Sequence, residues 1–124
     1  MSITIDHIVI PASDHEESAR FFARVMGLSY DGPDRHFAPV RVSDTFTLLF
    51  LRAEQVQPYH FAFHVSEELV GAIAGRLAEA GIAYGNDPRD HANMRTDHPF
   101  GGQGLFFLDP DNHLIEVMTV VRPH

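Results

Sequence analysis

Phe107-Leu108-Asp109-Pro110-Asp111-Asn112-His113-Leu114-Ile115-Glu116-Val117 is the most informative stretch of the chain. Alternation and β-branching predict strands over 104–108 and 113–120. Asn112, between them, tolerates the left-handed backbone of a tight turn. With a side-chain period of two, Ile115 and Val117 face the core. Glu116 then falls on the other face with Leu114 and Met118. A carboxylate between apolar neighbours needs a partner, and a metal ion is one.

The stretch has an earlier counterpart. Asp44-Thr45-Phe46-Thr47-Leu48-Leu49-Phe50 parallels Asp111 to Val117, with Leu49 in the place of Glu116. His7-Ile8-Val9-Ile10 likewise parallels His60-Phe61-Ala62-Phe63, and Ser13 and Ser66 follow the two His at the same spacing. Each Ser opens a helical pattern. Ser13 and Glu16 fit a capping box, and Gly27 is the expected left-handed stop. Ser66, Glu67 and Glu68 open the second helix, Leu69, Ile73 and Leu77 form its stripe, and Gly81 closes it. Further strands are expected over 3–10, 38–42, 46–51 and 60–65, with short ones near Ser29 and Ala83. Each half then reads β-α-β-β-β, a repeated unit. The expected fold is α+β: two tandem βαβββ modules, about 1–54 and 59–121, in one domain over 1–124, joined at Gln55-Val56-Gln57-Pro58. Their strands would form a curved mixed eight-stranded sheet around a metal or substrate cavity. The halves differ over 86–104, a long polar loop of the second half. Long loops in compact domains are usually functional or disordered.

Composition narrows the chemistry. The 124 residues carry 17 acidic and nine basic groups, a net charge of −8, which disfavours nucleic acid. Every basic residue is Arg, and there is no Cys. Schiff-base and P-loop lysines, thiol nucleophiles and thiolate metal sites are therefore excluded. The first basic residue is Arg20 and Asp6 interrupts the apolar start, so no export signal is expected. The longest aliphatic-aromatic run, 46–51, broken only by Thr47, is far short of the ~20 residues of a spanning helix. The expectation is a cytoplasmic protein without membrane contact. Nine His are the unusual feature, and His is the commonest metal ligand.

Two βαβββ modules carrying Asp6-His7-Ile8-Val9-Ile10-Pro11, His60-Phe61-Ala62-Phe63-His64-Val65 and the 107–117 stretch resemble the vicinal oxygen chelate superfamily. That group includes glyoxalase I, extradiol dioxygenases, fosfomycin-resistance transferases and bleomycin-binding proteins. The last stretch is close to the family pattern F-x-D-P-D-G-x-x-I-E, with Asn112 in place of Gly. The loop Asp97-His98-Pro99-Phe100-Gly101-Gly102-Gln103-Gly104 is similar to that of a bacterial subgroup of the same family. The resemblance implies metal ligands at His7, His60 and Glu116. Two imidazoles and a carboxylate with open positions suit a divalent ion such as Fe, Mn, Zn or Ni.

The function so implied is metal-dependent chelation of two neighbouring oxygens of a small substrate, in a dioxygenase, lyase or isomerase-like reaction. The alternative is a metal-free sequestering protein of the bleomycin-resistance type. In glyoxalase I a fourth ligand, a Glu, stands where this chain has Leu49, so that activity is not expected. His98, before Gly101-Gly102, is the candidate acid–base residue, on a loop expected to close over the metal. Arg95, Asn93, Gln103, Arg41, Arg52, Tyr59 and Phe106 are weaker candidates for substrate contact. His64 lies four residues from His60, too far to share its metal. His113, His15 and His124 are expected at the surface, and His36 is unassigned. Small proteins of this family commonly pair, which implies a homodimer.

Overall fold

The computed structural model describes residues 2–121. The chain divides into two units, Met1–Gln57 and Pro58–His124.

The first unit runs β1 (His7–Ala12), α1 (His15–Met26), β2 (Phe37–Arg41) and β3 (Thr47–Arg52). Its sheet has the order β1-β3-β2, with β1 parallel and β2 antiparallel to the central β3. A parallel neighbour requires a crossover, which α1 supplies by packing on all three strands. Ala19, Phe22, Ala23, Val25 and Met26 are its buried apolar side chains, and Phe22 meets Phe50 of β3 at 6.1 Å between ring centres. The helix stops at Gly27, which takes φ 74°. Its N-cap is Asp14 rather than Ser13: the Asp14 carboxylate accepts from Glu17 N–H at 3.2 Å. The first strand also starts later than expected, at His7 rather than residue 3, and Ile3 and Ile5 are exposed.

The second unit runs β4 (His60–His64), α2 (Glu67–Glu79), β5 (Gly104–Leu108) and β6 (Leu114–Met118). Its order is β4-β6-β5, again with a parallel and an antiparallel neighbour to the central strand. Ser66 caps α2 by accepting from Leu69 N–H at 3.2 Å. Val70, Ile73 and Leu77 are buried, and the helix packs on β5 and β6. The central β6 is buried on both faces: Ile115, Glu116 and Val117 are all at most 3% exposed.

Six strands are present among the described residues, where eight were expected. The segment after Gly27 holds Gly32 at φ 101° and Pro33, which lacks an N–H, and forms no strand near Ser29. Near Ala83 the pairing shrinks to one bridge, in which Gly85 and Phe106 exchange two backbone hydrogen bonds.

The β5–β6 turn corrects one expectation. His113, expected at the surface, is fully buried. Its Nδ1 accepts from the N–H of Tyr59, just before β4, at 2.8 Å. Its own N–H donates to Asp109 Oδ1, which also accepts from Asp111 N–H, each at 2.9 Å. Asn112 takes φ 66°, the left-handed position the turn requires. Asp109 Oδ2 is buried without a hydrogen-bond partner. Burial pushes the Asp109 carboxyl above its ordinary value, against the lowering effect of its hydrogen bonds and of His113.

Candidate functional site

Glu116 is the centre of a buried polar cluster in the second unit. It sits mid-way along β6, opposite Ala62 of β4 and Phe106 of β5. Side chains two apart share a face, so His60, at the start of β4, lies on the same face as Glu116. His60 Nε2 stands 3.2 Å from Glu116 Oε1. His98 Nε2 stands 2.7 Å from Glu116 Oε2. His98 and Glu116 side chains are 2% and 4% exposed, whereas that of His60 is 50% exposed.

These groups line a cavity of about 260 Å³. His60, His98 and Glu116 form the polar wall, with the rings of Phe106 and Phe100 beside them. Phe106 contacts both imidazoles, at 6.1 Å from the His60 ring and 5.9 Å, nearly parallel, from His98. Asp87, Pro88, Arg89 and Pro99 complete the lining. Sequence reading missed Asp87 and Arg89, because only the folding of the 86–104 loop brings them beside β6.

That loop is tied to the sheet rather than free. His98 N–H bonds Gly102 O at 3.1 Å, Gly104 N–H bonds Thr96 O at 2.7 Å, and Gln103 and Thr119 are joined through backbone and side chain. Gly102, at φ 67°, lies where a Cβ would strike Thr119 and Val120. Asn86 and Asn93 hold each other, with Asn93 donating to Asn86 Oδ1 at 2.7 Å. Arg95 pairs with Asp97 at 2.6 Å, and its hydrogen bonds hold the Asp97 carboxyl below its ordinary value. Asn93, Arg95 and Gln103 are thus engaged in loop structure, Gln103 also accepting from the Thr96 hydroxyl at 2.8 Å.

The other sequence candidates fall elsewhere. His7, at the start of β1, is exposed, and its Nδ1 is 2.8 Å from Asp6 Oδ2. A carboxylate on Nδ1 leaves Nε2 as the ring nitrogen for a metal, a pairing common in metal-binding imidazoles. His64 Nε2 bonds Thr119 O at 2.9 Å. Arg41 is drawn onto Thr47 and the Asp44 carbonyl. Tyr59 is half exposed over the His113 ring. Arg52 and His36 are exposed, His15 is half-buried, and His124 lies outside the described residues.

The donor set suits a divalent ion in part. Two ligand atoms on neighbouring positions of an ion at ~2.1 Å stand about 3 Å apart, close to the 3.2 Å between His60 Nε2 and Glu116 Oε1. As the side chains stand, no group of three His, Asp or Glu among the described residues is placed to hold a metal.

Comparison with known proteins gives the family. The model of the Glyoxalase/Bleomycin resistance protein/Dioxygenase superfamily matches residues 4–117. The chain is 26% identical over 121 residues to the glutathione transferase FosA of Serratia marcescens, covering 92% of this chain and 79% of that protein. It is 29% identical over 121 residues to the metallothiol transferase FosB of Shouchella clausii (strain KSM-K16), covering 93% and 79%. Among solved structures, oxidase ChaP-H2 superposes with a TM-score of 0.88 at 35% identity, covering 100% of this chain and 97% of that one. Oxidase ChaP-H1 does so at 0.87 and 32%, covering 98% of each. The strand order around the buried Glu116 and the match over 4–117 together make this chain a member of the glyoxalase/bleomycin resistance protein/dioxygenase superfamily.

Proposed function

We propose that the protein is a metal-dependent enzyme acting on a small substrate that presents two neighbouring oxygens. The observation that carries this reading is the buried Glu116 carboxylate with the His60 imidazole against it at the wall of a cavity. One of the relatives is named a glutathione transferase and another a metallothiol transferase, and two of the similar structures are named oxidases. His60 and Glu116 would hold the ion, with His7 as third donor on the family pattern. A divalent metal bound there supplies Lewis-acid polarisation of the substrate oxygens.

The remaining residues bind and shield. Phe106, buried in the lining, presents an apolar ring that would exclude water and strengthen electrostatic contacts in the cavity, whereas Phe100 is exposed at its edge. Arg89 is the one cation of the lining, its side chain 92% exposed and only 3.9 Å from Asp87. It can meet an anionic substituent as substrate enters. Pro88 and Pro99 restrict the backbone at two points of the lining.

The test is metal analysis of untagged protein, followed by calorimetric reconstitution with Fe, Mn, Zn and Ni. One ion per chain is expected, with binding lost in His60→Ala and Glu116→Gln. No binding of any of the four would reject the enzyme reading and leave the sequestering one.

A further inference from the structure

His98 was expected as an acid–base group facing substrate; it lines the cavity, and its hydrogen bonds point to a role toward Glu116 as well. Phe100 N–H lies 3.2 Å from His98 Nδ1. A backbone N–H can only donate, so Nδ1 is the acceptor. In the neutral ring the proton is then on Nε2, and it points at Glu116 Oε2, 2.7 Å away. We infer that His98 is a positioning residue: it occupies one oxygen of Glu116 and so leaves a single oxygen, Oε1, for the metal. This deepens the proposed function and rests on Glu116 being a ligand.

The surroundings make the pairing rigid. Both side chains are almost completely buried, so little of either is open to competing water. The His98 ring lies nearly parallel to Phe106, at an interplanar angle of 23°. It also meets the first residue of β5, where a Cβ on Gly104 would come within 2.6 Å of His98 Cδ2. Only a glycine lets the imidazole reach this depth. The backbone of 96–104 holds the ring from its own end, through His98 N–H to Gly102 O and Gly101 N–H to His98 O. A carboxylate with a fixed donor on one oxygen cannot rock between one-oxygen and two-oxygen ligation. Such outer partners of a ligand typically change metal affinity by ~10–100-fold. Holding Glu116 to one oxygen would keep it from occupying a second position on a bound ion, which the substrate could then use.

Cobalt(II) is a suitable probe, because its visible absorption weakens as coordination number rises. The full-length protein, His98→Ala, His98→Gln and His60→Ala would each be titrated with cobalt(II). Metal-free melting would be recorded alongside to register folding separately. The expected result is ~10–100-fold weaker binding in His98→Ala, with a weaker visible band as Glu116 takes the ion through both oxygens. His98→Gln, whose amide N–H can reach the same oxygen, should recover affinity and band. Cobalt binding by the unaltered protein together with an unchanged constant and spectrum in His98→Ala would overturn the inference alone. Loss in both His98 variants as complete as in His60→Ala would also overturn it, by making His98 a ligand. No cobalt binding by the unaltered protein would remove the metal reading and this inference with it.

Discussion

Gly104→Ala tests the packing that carries His98. The added Cβ would meet Val117 O at 2.7 Å, His98 Cδ2 at 2.6 Å and His98 Cγ at 3.2 Å. Ordinary contact is about 3.4 Å or more, so at least ~0.7 Å must be yielded. Val117 belongs to central β6, whose neighbours on both sides are hydrogen-bonded to it, so the carbonyl is the harder group to move. The His98 ring can retreat only by lengthening its 2.7 Å contact with Glu116. Overpacking of this kind costs about 1–3 kcal/mol. Stiffening of the unfolded chain by alanine offsets ~0.4–1 kcal/mol of that. The net loss lies between about 0 and 2.6 kcal/mol, with a midpoint near ~1.3 kcal/mol that corresponds to a fall in Tm of roughly 4–6 °C for a chain of this size. Urea and thermal unfolding followed by circular dichroism would measure it, with metal affinity as a second reading. An unchanged or raised Tm, with unchanged metal affinity, would refute the claim that β5 and His98 are in close contact.

Further predictions concern the turn, the missing carboxylate and assembly. Burial raises the Asp109 carboxyl above 3.8, so the folded chain keeps a proton that the unfolded chain has already released. Its stabilising contribution is present below that value and fades as pH rises through the folded one. Asp109→Asn should remove this downward component from stability measured against pH, and an identical pH profile in the variant would contradict it. His113→Ala removes a fully buried ring and strands the Tyr59 N–H, for a loss of about 2–4 kcal/mol in denaturant melts; less than ~0.5 kcal/mol would place the ring outside the core. Turnover of the methylglyoxal–glutathione hemithioacetal should be absent or trace, since Leu49 supplies no carboxylate; rates of ~10 per second or more would count against that argument. The chain is expected to pair with itself, and a light-scattering mass of 13.9 kDa at micromolar concentration would exclude a stable dimer.

Local signals served well where the physics is local. Ser66 caps its helix as read, Gly27 and Asn112 take the left-handed backbone, and strand 104–108 has the expected bounds. The cap of α1 was ambiguous in principle: Ser13 with Glu16 and Asp14 with Glu17 both satisfy the capping pattern, and the folded backbone makes Asp14 the N-cap. The burial of Glu116 was legible from its apolar neighbours. Its pairing with His98 was not, because the hydrogen bond crosses 18 positions through a loop of no regular period. His113 was misplaced for the same reason. A polar ring beside a turn reads as exposed, and its hydrogen bond to Tyr59 N–H lies 54 positions away. Asp87 and Arg89 carry no periodic or motif signal at all.

The wall of the cavity is made from two kinds of backbone. His60, Phe106 and Glu116 come from strands whose register is locked by ladder hydrogen bonds. Asp87, Pro88 and Arg89 come from a bend closed by the Asp87–Asp90 bridge. A change in the first set shifts a strand and endangers the fold, whereas the second set can be exchanged, lengthened or recharged at little cost in stability. The cavity is therefore an evolvable part on a fixed base. Descendants of this chain could trade one substrate for another by rewriting a few positions around 87–89, with the Glu116 apparatus carried through unaltered. A library randomised at those positions is the natural starting point for redirecting its selectivity in the laboratory.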